Sequence, residues 1–140
     1  MKLRHIIAVL AVLIILVGLM EIIFPYRSIS LSEKLMHSVA IRLTGVLGLA
    51  IGVVFVTAAV KRQVGLKLFM LIIGAYMMVG SAVMFTSPSF IQDLTDAIFL
   101  KRPIGTQLTL LWATGLLRIA IGAAMLYAVA KAPQGVEPAP

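Results

Sequence analysis

Three ionisable residues interrupt long apolar runs: Glu21, Arg42 and Arg118. A charge at bilayer depth is costly, so each is a candidate site residue by default. Glu21 and Arg42 fall at similar distances from one end of their runs, where an ion pair would let both stay charged. Arg118 falls ten residues into its run, roughly 15 Å deep at about 1.5 Å per residue. It needs Glu21, freed carbonyls or a lipid phosphate as a partner. Two readings are open. One is an anion or lipid-headgroup site under the outer surface, built from Arg42 and Arg118 with Glu21. The other is a buried pair that fixes helix register, beside an arginine that snorkels part-way.

Little else in the chain offers chemistry. There are no cysteines, which removes disulfides, thiolate metal sites and thiol nucleophiles. His5 and His37 fall on opposite membrane faces and cannot share a metal. Asp93 and Asp96 are spaced for one helical face, where a solvated surface is the simpler reading than a weak cation site. No nucleophile–base set, phosphate-binding glycine loop or haem-type histidine pair is present. The expectation is a protein that is not an enzyme and holds no cofactor.

The composition fixes the surroundings. Of 140 residues, 61% are hydrophobic and 12% charged. Soluble domains carry about 45–50% apolar and about 25% charged residues, so lipid must cover much of this chain. Four runs are long enough to cross a bilayer as helices: Ile6 to Phe24, Val39 to Val60, Val64 to Phe85 and Leu108 to Ala130. Lys67 lies close to the start of the third. The first run follows Lys2 and Arg4 but lacks a small-x-small cleavage site, so it reads as a retained span. The formal charge of +7 does not point to nucleic acid, because the basic residues cluster at span ends.

Loop charge sets the expected direction. Lys2, Arg4, Lys61, Arg62, Lys67 and Lys131 share one side; Arg27, Lys34, Lys101 and Arg102 share the other, with Arg42 at its edge. The first set is concentrated in a tight turn and short termini, which places both termini in the cytoplasm. Ser30 and Glu33 have capping-box spacing, with Leu31, Leu35 and Met36 on one face. Pro88 suits a helix start after Ser87, with Ile91, Leu94 and Ile98 on one face. Both outer loops therefore read as short amphipathic helices on the membrane surface. For the first, an ordinary turn is an equal alternative. Tyr76 falls mid-span, where it would pack in the bundle or bond a neighbour. Residues 132–140, with three prolines and no apolar run, read as a disordered tail.

The second and fourth spans match without gaps at an offset of 70. From Thr44 to Lys61 and from Thr114 to Lys131, eight of 18 positions are identical. The fold expectation is an all-α membrane domain over 1–131, with four spans arranged as two parallel-repeat hairpins, about 6–61 and 64–131. Each unit is span, surface helix, span, so the repeats share an axis along the membrane normal. Gly45, Gly48, Gly52, Gly115 and Gly122 are the expected packing residues, because small residues let backbones approach in lipid. They would place the second and fourth helices face to face at the centre.

The first half resembles the YjeT-like family of small two-span bacterial membrane proteins. The resemblance rests on Glu21 in the first span, Phe24-Pro25 at its exit, and Arg42-Leu-Thr-Gly45 with Gly52 seven residues on. It covers about residues 6–61. In the second half Trp112 stands in place of Arg42 and Val83 in place of Glu21. The resemblance implies the hairpin and a bacterial inner membrane, and no activity. The function expected from the whole sequence is an accessory or scaffold subunit of a membrane complex, with lipids and other subunits or further copies as partners. One alternative is a small transporter or lipid- or anion-binding protein using Arg118, Arg42 and Glu21. Another, by architecture alone, is a quinone-linked enzyme similar to the DoxX-like proteins.

Overall fold

The computed structural model describes residues 3–62 and 64–131. They form six α-helices and one π-helical turn, with no strand among the described residues. Four helices are long and apolar enough to cross a membrane: α1 (Leu3–Ile23), α3 (Ala40–Val60), α4 (Lys67–Thr86) and α6 (Ile104–Ala130). Two shorter ones, α2 (Pro25–Met36) and α5 (Pro88–Thr95), connect them at one end, and the π-helical turn Asp96–Leu100 continues α5. The tail expected over 132–140 lies outside the described residues.

Proline sets both sharp bends. Pro25 and Pro88 each occupy the first turn of a short helix, where a missing N–H costs nothing. The residue before proline is steered away from helical geometry, which ends α1 at Ile23 and α4 at Thr86. This corrects the expected start of the first surface helix. Ser30 lies inside α2, not at its cap, and Phe24 precedes the helix without a side-chain cap bond. In the second loop the helical face is shorter than expected, because the π-helical turn takes in Ile98.

The four spans pack as two close pairs, α3 with α4 and α1 with α6. Glycine makes both pairs tight. A Cβ on Gly45 would lie 2.9 Å from the Ser81 carbonyl oxygen, and one on Gly52 would lie 2.9 Å from that of Gly74. A Cβ on Gly115 would lie 2.8 Å from the Gly18 carbonyl oxygen, and one on Gly122 would lie 2.9 Å from that of Ala11. Gly48 faces the Ser81 side chain. The expected seam between the second and fourth spans is therefore not found. The glycines of α3 face α4 and those of α6 face α1. The two spans of each expected hairpin are likewise not each other's main neighbours.

The apolar core lies towards one end. Ile7, Ala11, Phe55, Ala58, Ala59, Val64, Met70, Met125 and Ala128 are buried together. That end also carries the start of α1, the end of α6 and the turn between α3 and α4. There Gly65 N–H donates to the Ala128 carbonyl oxygen at 2.7 Å. Arg62 and Leu66 adopt left-handed backbone with φ of 54° and 52°. Helices α2 and α5 occupy the opposite end, the outer one in the expected topology. Tyr76 does not pack in the bundle: it is 76% exposed on the outward face of α4.

Candidate functional site

Glu21 lies in the last turn of α1, where a carboxylate meets the unfavourable end of the helix dipole. Its compensation comes from α6. Gly18, one turn earlier, lets α6 approach so closely that a Cβ there would lie 3.2 Å from the Arg118 Cβ. Side chains lean toward the N-terminus of their own helix. In an antiparallel pair, Glu21 therefore leans into the bundle and Arg118 leans toward the outer end. They meet, and Arg118 Nη1 donates to Glu21 Oε1.

The two partners differ in exposure. Glu21 is 8% exposed, and its second oxygen, Oε2, is buried without a hydrogen-bond partner. The Arg118 side chain is 41% exposed. Arginine carries five donors, and the bond to Glu21 is its one bond among the described residues. Apart, each charge would carry a desolvation cost of several kcal/mol; together they form a locally neutral pair with spare donors facing outward.

Arg42 is not part of this pair. It lies in the first turn of α3, exposed, and lines an outer recess with His37, Ile41, Pro88 and Gln92. The buried face of α3 carries Ile41 and Gly45, so the neighbouring position points elsewhere. Glu21 and Arg42 share a depth without sharing a direction. The expected three-residue site thus resolves into the Glu21–Arg118 pair and a separate arginine.

Several polar contacts at the outer end carry no obvious signal in the sequence. His37 Nε2 lies 3.0 Å from Asp96 Oδ1 and joins the end of α2 to the π-helical turn. Gln92 Nε2 donates to the Met36 carbonyl oxygen at 2.6 Å. Gln107 is buried, and its Nε2 donates to the carbonyl oxygens of Leu100 at 2.8 Å and Arg102 at 3.0 Å. A lone glutamine at the start of an apolar span is the one available hint of that role, since a buried amide demands partners. Asp93 and Asp96 are not joined into a metal site, and no group of three or more metal-ligating residues occurs among the described residues.

The arrangement is suited to holding charges and polar groups in place. No protein-family model matches the sequence, and neither the curated proteins nor the solved structures contain a match.

Proposed function

We propose that this small multi-pass membrane protein is a non-enzymatic accessory or scaffold subunit of a membrane complex. Tyr76 carries the reading. It sits midway along α4, outward-facing, with Leu68, Ile72 and Val79 exposed along the same helix. Hydrocarbon offers its hydroxyl nothing to bond, and unpaired polar groups there are costly. A neighbouring protein surface would satisfy it. The short connections and glycine-lined seams fit a chain whose main product is a shaped lateral surface.

The same reading takes the chain as two copies of a span, surface helix, span unit. In support, buried positions recur in step. Ile41, Gly45, Gly52, Phe55 and Ala58 correspond to Leu111, Gly115, Gly122, Met125 and Ala128 at an offset of 70. Ile7, Ala11 and Gly18 correspond to Met70, Gly74 and Ser81 at an offset of 63, as Pro25 does to Pro88; in this register Met84, and not Val83, takes the place of Glu21. Exchanging the copies would turn the α3–α4 pair into the α6–α1 pair. The resemblance of residues 6–61 to the YjeT-like family belongs with this proposal. So does a bacterial inner-membrane location, which that resemblance implies, with both termini cytoplasmic as loop charge argues.

Native mass measurement of the full chain purified in mild detergent tests the assignment. A partner protein in fixed stoichiometry is expected, and its loss on Tyr76→Leu would tie it to the α4 face. A chain that remains monomeric, with no protein partner, overturns the proposal.

A further inference from the structure

The start of α6 carries a second arrangement, whose lining includes neither Glu21 nor Arg118. The π-helical turn and the first half of α6 enclose an apolar groove lined by Ile98, Phe99, Leu110, Leu111 and Thr114. The Thr114 hydroxyl donates to the Leu110 carbonyl oxygen at 2.7 Å, so it leaves the groove no free donor. Where the turn ends, Lys101 and Arg102 follow directly, both exposed and neither in an ion pair among the described residues.

This cationic corner is held rigidly. Lys101 N–H donates to the Asp96 carbonyl oxygen at 2.9 Å, and Arg102 N–H donates to that of Phe99 at 3.2 Å. Gln107 binds the carbonyl oxygens of Leu100 and Arg102 from beneath. Arg102 Nε donates to the Ala97 carbonyl oxygen at 3.2 Å, which leaves the other guanidinium donors for an external group. The nearby carboxylate of Asp96 lies 3.0 Å from His37 Nε2 and is turned to that contact.

We propose that this corner binds one anionic phospholipid, with its phosphate at Lys101 and Arg102 and an acyl chain along the groove. The polarity fits: cations at the membrane surface, apolar lining beneath. Basic residues at this level attract anionic headgroups, and a preorganised corner loses little entropy on binding. The second loop also differs from the first where the site lies. The offset between the halves rises from 63 at Pro25 and Pro88 to 70 at Ile41 and Leu111. The second connection is therefore seven residues longer, and the π-helical turn with Lys101, Arg102 and Pro103 lies within it. That argument rests on the two-copy reading; the groove and the corner do not.

The test is native mass spectrometry of the full chain with phosphatidylglycerol or phosphatidylcholine of matched acyl length. Wild type is expected to retain phosphatidylglycerol preferentially. Lys101→Gln with Arg102→Gln should weaken retention on the order of twenty-fold, from about five-fold per cation near an anionic surface. Lys61→Gln with Arg62→Gln removes equal charge at the opposite end and should leave retention unchanged. Leu110→Trp fills the groove and should lower retention with both cations present, which keeps the test decisive should the double glutamine variant fold poorly. Undiminished retention in either the double glutamine variant of the corner or Leu110→Trp in the groove overturns the proposal. So does equal retention of phosphatidylcholine, or binding of glycerol phosphate as tight as that of the lipid, which would leave the groove without a role.

Discussion

The α1–α6 and α3–α4 seams close in the same manner and differ in one respect. In each, the glycines lie so close to carbonyls of the opposite helix that an added Cβ at Gly115 or Gly45 would crowd them. The α1–α6 seam adds Glu21 and Arg118. At the corresponding place the α3–α4 seam has Gly48 against Ser81, with Met84 alongside Gly45. One seam therefore packs closely with no charge at all. Glycine suffices to bring the helices together, and the ion pair is an addition whose role lies outside simple association.

The sharpest way to break that comparison is to remove one charge. Arg118→Leu leaves the buried Glu21 carboxylate without its partner and is expected to cost about 3–5 kcal/mol, measured by reversible unfolding in micelles. Pairing it with Glu21→Leu should restore stability to near wild type or above it, as replacing buried pairs by apolar groups often does. A double variant as unstable as the single would show that the charges do hold the seam. Next in size, Gly45→Val and Gly115→Val should each cost about 1–3 kcal/mol by overpacking. Similar losses in the same unfolding assay would support equivalent seams, whereas a much smaller loss at Gly115 would make the ion pair the main fastener of α1 to α6. Smallest, Gly80 has nothing within 4 Å of a Cβ. Gly80→Ala should leave stability unchanged or raise it by up to about 1 kcal/mol. A loss would place another helix against that face.

The spans were legible because length and apolarity alone decide them. All four fall within a few residues of the runs read from the sequence. Pair identity was not legible. A glycine on α3 tells that some backbone comes close; it does not name α4 over α6. Nor does distance from a span end give direction around the helix. Arg42 matches Glu21 in depth, yet the buried face of α3 runs through Ile41 and Gly45, and the carboxylate went to Arg118. At the first bend two local signals competed. Pro25 overrode the capping-box spacing at Ser30, because a proline following Phe24 already suits a helix start. Gln107 and the His37–Asp96 contact depend on where loops fold back, which no local pattern encodes.

The off-centre core has a mechanical consequence. The four spans are clamped together where Ile7, Phe55, Met70 and Met125 interlock and where the Gly65–Ala128 bond crosses between the pairs. Toward the other end the two pairs are held by the chain itself: α2 links α1 to α3, and α5 with the π-helical turn links α4 to α6. His37 and Asp96 tie these two connections to each other. The molecule is closed at both ends by different means, interlocked side chains at one and covalent straps at the other, so parting the pairs must strain the straps as well as the packing.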